Sequence, residues 1–149
     1  MAKQKKKAIQ EGLVDNMRTW QKIEDSSVAS TGRVIERTEN PIVRLVMEII
    51  QRDSQMHHRV QEWIADSLTG KPIVLSPDEV ADVWGMIEDH ITLERRTLRL
   101  AQDALAAIKG DKGMLVQSYL LKYLLQDEQK HNEMLEQLGQ IQKGMYPYG

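Results

Sequence analysis

In the run from Tyr119 to Leu138, Leu121, Leu124, Leu135 and Leu138 recur at intervals that mark one face of an α-helix. Continuing that spacing through the middle of the run lands on Glu128 and His131. Two ionisable side chains therefore stand where the pattern calls for core. A Glu and a His three residues apart on a helix point the same way, so both can ligate one metal ion or hydrogen-bond each other. An apolar stripe interrupted like this must pair, neutralise or coordinate those groups, because an isolated charge in a dry interior is costly. Each of the other three helices readable from the sequence carries a similar interruption.

The first helix is expected from about Ala8 to about Thr38, with the stripe Leu13, Met17, Trp20, Glu24, Ser27, Thr31 and Val34. Glu24 sits at its centre. Asn40-Pro41 ends this helix and starts the next, since Asn is a good cap and Pro suits the first helical position. The second helix, about Pro41 to Leu68, has the stripe Val46, Ile50, Asp53, His57, Val60 and Ile64, which turns Asp53 and His57 inward. Thr69-Gly70-Lys71-Pro72 breaks it. Ile73-Val74-Leu75 reads as a short extended piece, and Ser76-Pro77-Asp78-Glu79 as a capped restart. The third helix, to about Lys109, carries Val80, Val83, Ile87, His90, Glu94, Leu98, Ala101 and Leu105 on its stripe, with Trp84 and Ile91 at the margin. Gly110-Asp111-Lys112-Gly113 is the next turn, and the fourth helix runs to about Lys143. These elements make an all-α four-helix bundle, a single domain over residues 8–143. A loose basic end over residues 1–7 and a loose tail over residues 144–149 flank it.

Composition narrows the chemistry. The chain has no cysteine, so a thiolate site and a disulfide framework are excluded, and any metal must use oxygen and nitrogen ligands. Phenylalanine is absent too, while Leu, Met, Gln, Glu, Lys and Ala dominate, which favours helix throughout. The formal charge of −2 comes from nearly balanced acids and bases, and Lys3 to Lys7 form the single basic block, so nucleic acid is not an implied partner. No apolar run reaches membrane-spanning length and no signal-like segment follows the lysines, so a cytoplasmic protein without a membrane partner is expected.

Counting from the turns sets the interruptions at matched heights. Glu24 lies 16 residues before Asn40 and His57 lies 17 after it; Glu94 and Glu128 lie 17 residues either side of Asp111. No Lys or Arg occupies these inward positions to neutralise the carboxylates. Metal ions would, and the mixed oxygen and nitrogen donors suit iron or manganese, with zinc as a further candidate. Two ions bridged by carboxylates from opposite helices are easier to accommodate than one.

Asp127-Glu128-Gln129-Lys130-His131, with Leu135-Glu136, Leu138 and Ile141-Gln142-Lys143, resembles the last core helix of bacterioferritins and, more loosely, of rubrerythrins. Leu68-Thr69-Gly70-Lys71-Pro72 resembles the break after the second bacterioferritin helix. The resemblance implies the ferritin-like fold, with antiparallel hairpins and a crossover between the second and third helices. Residues 69–76 would have to make that crossover, within a reach of about 27 Å. It also implies a di-iron site with a Glu on the first and third helices and Glu-x-x-His on the second and fourth. Matched residue by residue, this gives Glu24, His57, Glu94, Glu128 and His131. Ser54 stands where the second helix should carry its Glu; Asp53 could substitute from the adjacent position, and His90 is an additional inward histidine. The site is thus a variant: asymmetric di-metal, mononuclear or no longer redox-active.

The resemblance implies a protein that oxidises Fe(II) with O2 or peroxide, or that stores or buffers the metal, and a homodimer through a bundle face is expected. The alternative is a metal-free structural or interaction bundle, in which Glu128-His131 and Asp53-His57 are buried hydrogen-bonded pairs. Trp63, Trp84 and Met56 would be the margins of an interaction face.

Overall fold

The computed structural model describes residues 1–71 and 76–144. Pro72 to Leu75, including the segment read as extended, and Met145 to Gly149, most of the expected loose tail, lie outside the described residues. All regular structure among the described residues is helical: α1, Ala2–Arg37; α2, Pro41–Thr69; α3, Pro77–Ala107; and α4, Leu115–Gln142, which follows one 3-10 turn, Lys112–Met114. The chain divides into two compact units, Met1–Ile73 and Val74–Gly149, each of which is an antiparallel helical hairpin.

The first hairpin turns at Asn40. Its side-chain oxygen accepts from the backbone N–H groups of Ile42 at 2.9 Å and Val43 at 3.1 Å, and Pro41 opens α2 where no N–H partner is needed. Helix α1 begins at Ala2, so residues 2–7 are helical rather than a loose basic end. Ala, Lys and Gln are strong helix formers and nothing breaks the chain before Gly12; Lys7 also pairs with Glu11 one turn on, at 3.7 Å.

The seam between α1 and α2 is polar to an unusual degree. Its buried residues are Met17, Gln21, Glu24 and Thr31 on α1 and Ser54, Gln61 and Ala65 on α2. Hydrogen bonds cross it at several heights: Gln21 Nε2 donates to the His58 carbonyl at 3.2 Å and Gln51 Nε2 to the Val28 carbonyl at 3.1 Å. At one end Arg18 Nη2 reaches Asp66 Oδ1 at 3.1 Å. Several residues of the expected stripes, Leu13, Trp20, Val34, Ile50, Asp53, His57 and Val60, are exposed instead. On α2 the seam runs one position away from the apolar stripe, because two helices in contact bury a line narrower than the face the hydrophobic pattern covers.

The second hairpin follows its predicted stripes more closely, although Val83 and Leu124 are exposed. Val80 and Ala101 are buried, and Trp84, Ile87, Ile91, Glu94, Leu98 and Leu105 are half-buried. Ser76 stands at the N-cap of α3 without a side-chain hydrogen bond, while Pro77 begins the helix and Asp78 and Glu79 lie in its first turn. The turn to α4 uses Gly110 in the left-handed region, φ 82°, and Asp111, whose carboxylate accepts from Gly113 N at 2.8 Å. Near the far end of α4 the buried Gly139 leaves room for the Trp84 indole, which lies 2.9 Å from where a Cβ would stand. Contact at this end and pairing at mid-helix fix the register of α4 on α3. No helix of the described residues is long and apolar enough to cross a membrane.

Candidate metal centre

Midway along the second hairpin, Glu94 of α3 meets Glu128 and His131 of α4. One ligand-capable atom from each lies within 4.8 Å of the others, the one such cluster of three among the described residues. The i,i+3 spacing aims Glu128 and His131 at the same point, and the hairpin turn sets Glu94 level with them. His131 Nδ1 lies 3.5 Å from Glu94 Oε2 and 3.9 Å from Glu128 Oε2, too far for good hydrogen bonds and close enough for shared coordination. The side chains are only partly open to solvent, at 12% for Glu94, 22% for Glu128 and 40% for His131.

Each of these three side chains has a polar partner beside it. His90 Nε2 lies 2.9 Å from Glu94 Oε1, one helical turn earlier on α3. Thr97 Oγ1 donates to Glu128 Oε2 at 2.8 Å, and Asp127 Oδ2 lies 3.6 Å from His131 Nε2. Such outer partners orient ligands and set the tautomer of a coordinating His. Glu94 Oε2, by contrast, is buried and has no standing hydrogen-bond donor.

The two carboxyls are close enough that a proton held by Glu128 would be shared with Glu94 and would give it a donor. That bond is the largest influence holding Glu94 below the ordinary carboxylate range and raising Glu128 above it. Burial raises Glu128 further, and the Thr97 hydroxyl partly opposes the rise. Two acids that cannot both ionise comfortably, facing an imidazole, form a site that a cation would relieve. The donors fit a first-row divalent ion of the iron or manganese type, with zinc also compatible.

The first hairpin places Glu24 and His57 together as the count from Asn40 implies, with His57 Nδ1 3.2 Å from Glu24 Oε1. Glu24 is buried, and Gln61 Nε2 also donates to its Oε1, at 3.3 Å. Asp53 does not join them. It is exposed, and the neighbouring Ser54, 4% exposed, takes the seam position with its hydroxyl 2.8 Å from Ser27 Oγ. The small Ser27 opposite leaves the seam position to Ser54, the smaller of these two neighbours. His90, expected to face inward, is exposed and serves Glu94 from the side.

Comparison of the chain with models of known families, with curated proteins and with solved structures gives no match. What the site does is therefore argued from its own residues. Three that sequence reasoning did not single out, Gln61, Thr97 and Ser27 as a hydrogen-bonding group, share one signal: a polar side chain one turn from a candidate ligand on an apolar face.

Proposed function

We propose that this chain is a ferritin-like metal-binding protein with a variant carboxylate site, held by Glu94, Glu128 and His131. The observation that carries the reading is the convergence of the buried Glu94 Oε2, which no N–H or hydroxyl reaches, with a second carboxyl and an imidazole nitrogen. The motif around Glu128 and His131 supports a ferritin-like bundle with the two hairpins and a crossover, and iron as the metal, with manganese or zinc as alternatives.

Iron bound there would supply ferrous reducing equivalents to O2 or peroxide, or would simply be stored or buffered. This chain's residues do the rest. Glu94 and Glu128 bring the negative charge that holds a divalent ion, His131 supplies the nitrogen donor, and Thr97 and His90 keep the two carboxylates turned toward the site. Glu128 must release its proton before it can ligate, so the shared proton competes with the metal.

The test is Fe(II) titration with oxygen consumption followed in parallel, using Glu128→Ala as the control. Saturable binding lost in the variant supports the metal-binding reading, and oxygen uptake that follows binding supports oxidation over storage. Absence of binding in both folded proteins rejects it in favour of a metal-free structural bundle.

A further inference from the structure

The two hairpins are built on one template that the sequence does not display as a repeat. On the first helix of each, a Glu is followed three residues later by a hydroxyl: Glu24 and Ser27, Glu94 and Thr97. On the second helix of each, a His follows three residues after the group which that hydroxyl bonds: Ser54 and His57, Glu128 and His131. The hydroxyl contact is 2.8 Å in both, Ser27 to Ser54 and Thr97 to Glu128. Nδ1 of the His faces the Glu in both, at 3.2 Å from Glu24 and 3.5 Å from Glu94.

Against this common frame the hairpins differ in two ways. Ser54 replaces a carboxylate ligand with a hydroxyl already engaged to Ser27. Four residues after the His, the first hairpin has Gln61, whose amide donates to Glu24 at 3.3 Å, where the second has Leu135. Glu24 Oε1 thus takes contacts from both His57 and Gln61, while Glu94 has His90 on Oε1 and no partner on its buried Oε2.

We infer that the chain takes up a single transition-metal ion, in the α3–α4 hairpin, and that the α1–α2 hairpin is its metal-free counterpart, closed by the Ser27–Ser54 bond. This rests on the metal-binding reading above. It adds the count and the reason for it: a lone Glu and His offer two donors where the other hairpin offers three. A single ion also delivers one electron per loading, which favours holding the metal over a two-electron reduction of peroxide within one chain.

The experiment is anaerobic calorimetric titration of the full chain with Fe(II), repeated with Mn(II), on wild type, Glu24→Gln, Glu128→Gln and the double variant Ser27→Thr/Ser54→Glu, each checked for folding by circular dichroism. Expected are one ion per wild-type chain, the same stoichiometry and affinity within about threefold in Glu24→Gln, and affinity lowered at least about tenfold in Glu128→Gln. The double variant copies the Thr97–Glu128 pairing into the first hairpin and should bind two. Two ions in wild type, or an equal loss in Glu24→Gln, would overturn the one-ion inference while leaving the metal-binding reading intact. No ion in wild type would reject that reading itself. A folded double variant that still binds one ion would overturn the assignment of Ser54 as the residue that closes the first site.

Discussion

Glu128 is the residue at which stability and the proposed metal binding pull in opposite directions. Its pKa is raised, so its share of stability is full below the unfolded carboxylate value and is lost as pH rises through the higher folded value. Glu94, whose pKa is lowered, contributes in the opposite sense: its share is present above the unfolded value and is lost as pH falls through the depressed one. Between them the metal-free hairpin prefers one shared proton. Glu128→Gln keeps a donor for Glu94 and removes the second charge, so at neutral pH it should stabilise the metal-free protein by about 1 kcal/mol while removing metal binding. Urea unfolding at a series of pH values checks this: the wild type should lose stability as Glu128 ionises, and the variant should not. Metal affinity should fall as pH drops through the raised Glu128 value, with proton release on binding seen by calorimetry in buffers of different ionisation enthalpy. Thr97→Val removes the hydrogen bond that lowers the Glu128 pKa, so it should move that pH dependence upward and weaken binding about tenfold.

At the scale of the elements, the register of each hairpin is set by turn and cap chemistry and by close packing away from the site. Asn40→Ala removes both acceptor bonds at the start of α2 and should destabilise the chain by about 1 kcal/mol, read by chemical denaturation. Gly139→Ala pushes a methyl into the Trp84 indole and should cost about 1–3 kcal/mol, with a change in tryptophan fluorescence that Asn40→Ala does not produce. The helices, their capping at Asn40 and the turn at Gly110-Asp111 were legible in the sequence, because punctuation residues act locally. The positions of Glu24, His57, Glu94, Glu128 and His131 were legible for a related reason: counting residues from a tight turn is reliable along straight helices. The seam of α2 was not. Periodicity identifies a broad face, and a polar α1 surface carrying Gln21, Glu24 and Ser27 attracts Ser54 and Gln61 rather than the centre of the apolar stripe. That rotation by one residue is what placed Asp53 outside the seam.

For the molecule as a whole, two hairpins with one template and different chemistry fit the proposed division of labour, in which the α3–α4 hairpin would ligate and the α1–α2 hairpin would not. A ligand that binds only the folded chain stabilises it in proportion to its concentration over its dissociation constant, by about 2.7 kcal/mol at a hundredfold excess. Saturating Fe(II) under argon should therefore raise the wild-type melting temperature and leave that of Glu94→Gln unchanged. The most direct measurement is elemental analysis of the purified full chain beside Glu94→Gln and Glu128→Gln after exposure to equal iron, manganese and zinc and removal of unbound metal. About one ion per wild-type chain and near none in either folded variant is the result predicted by a site of Glu94, Glu128 and His131. Equal metal in all three proteins, or none in the wild type, would contradict it.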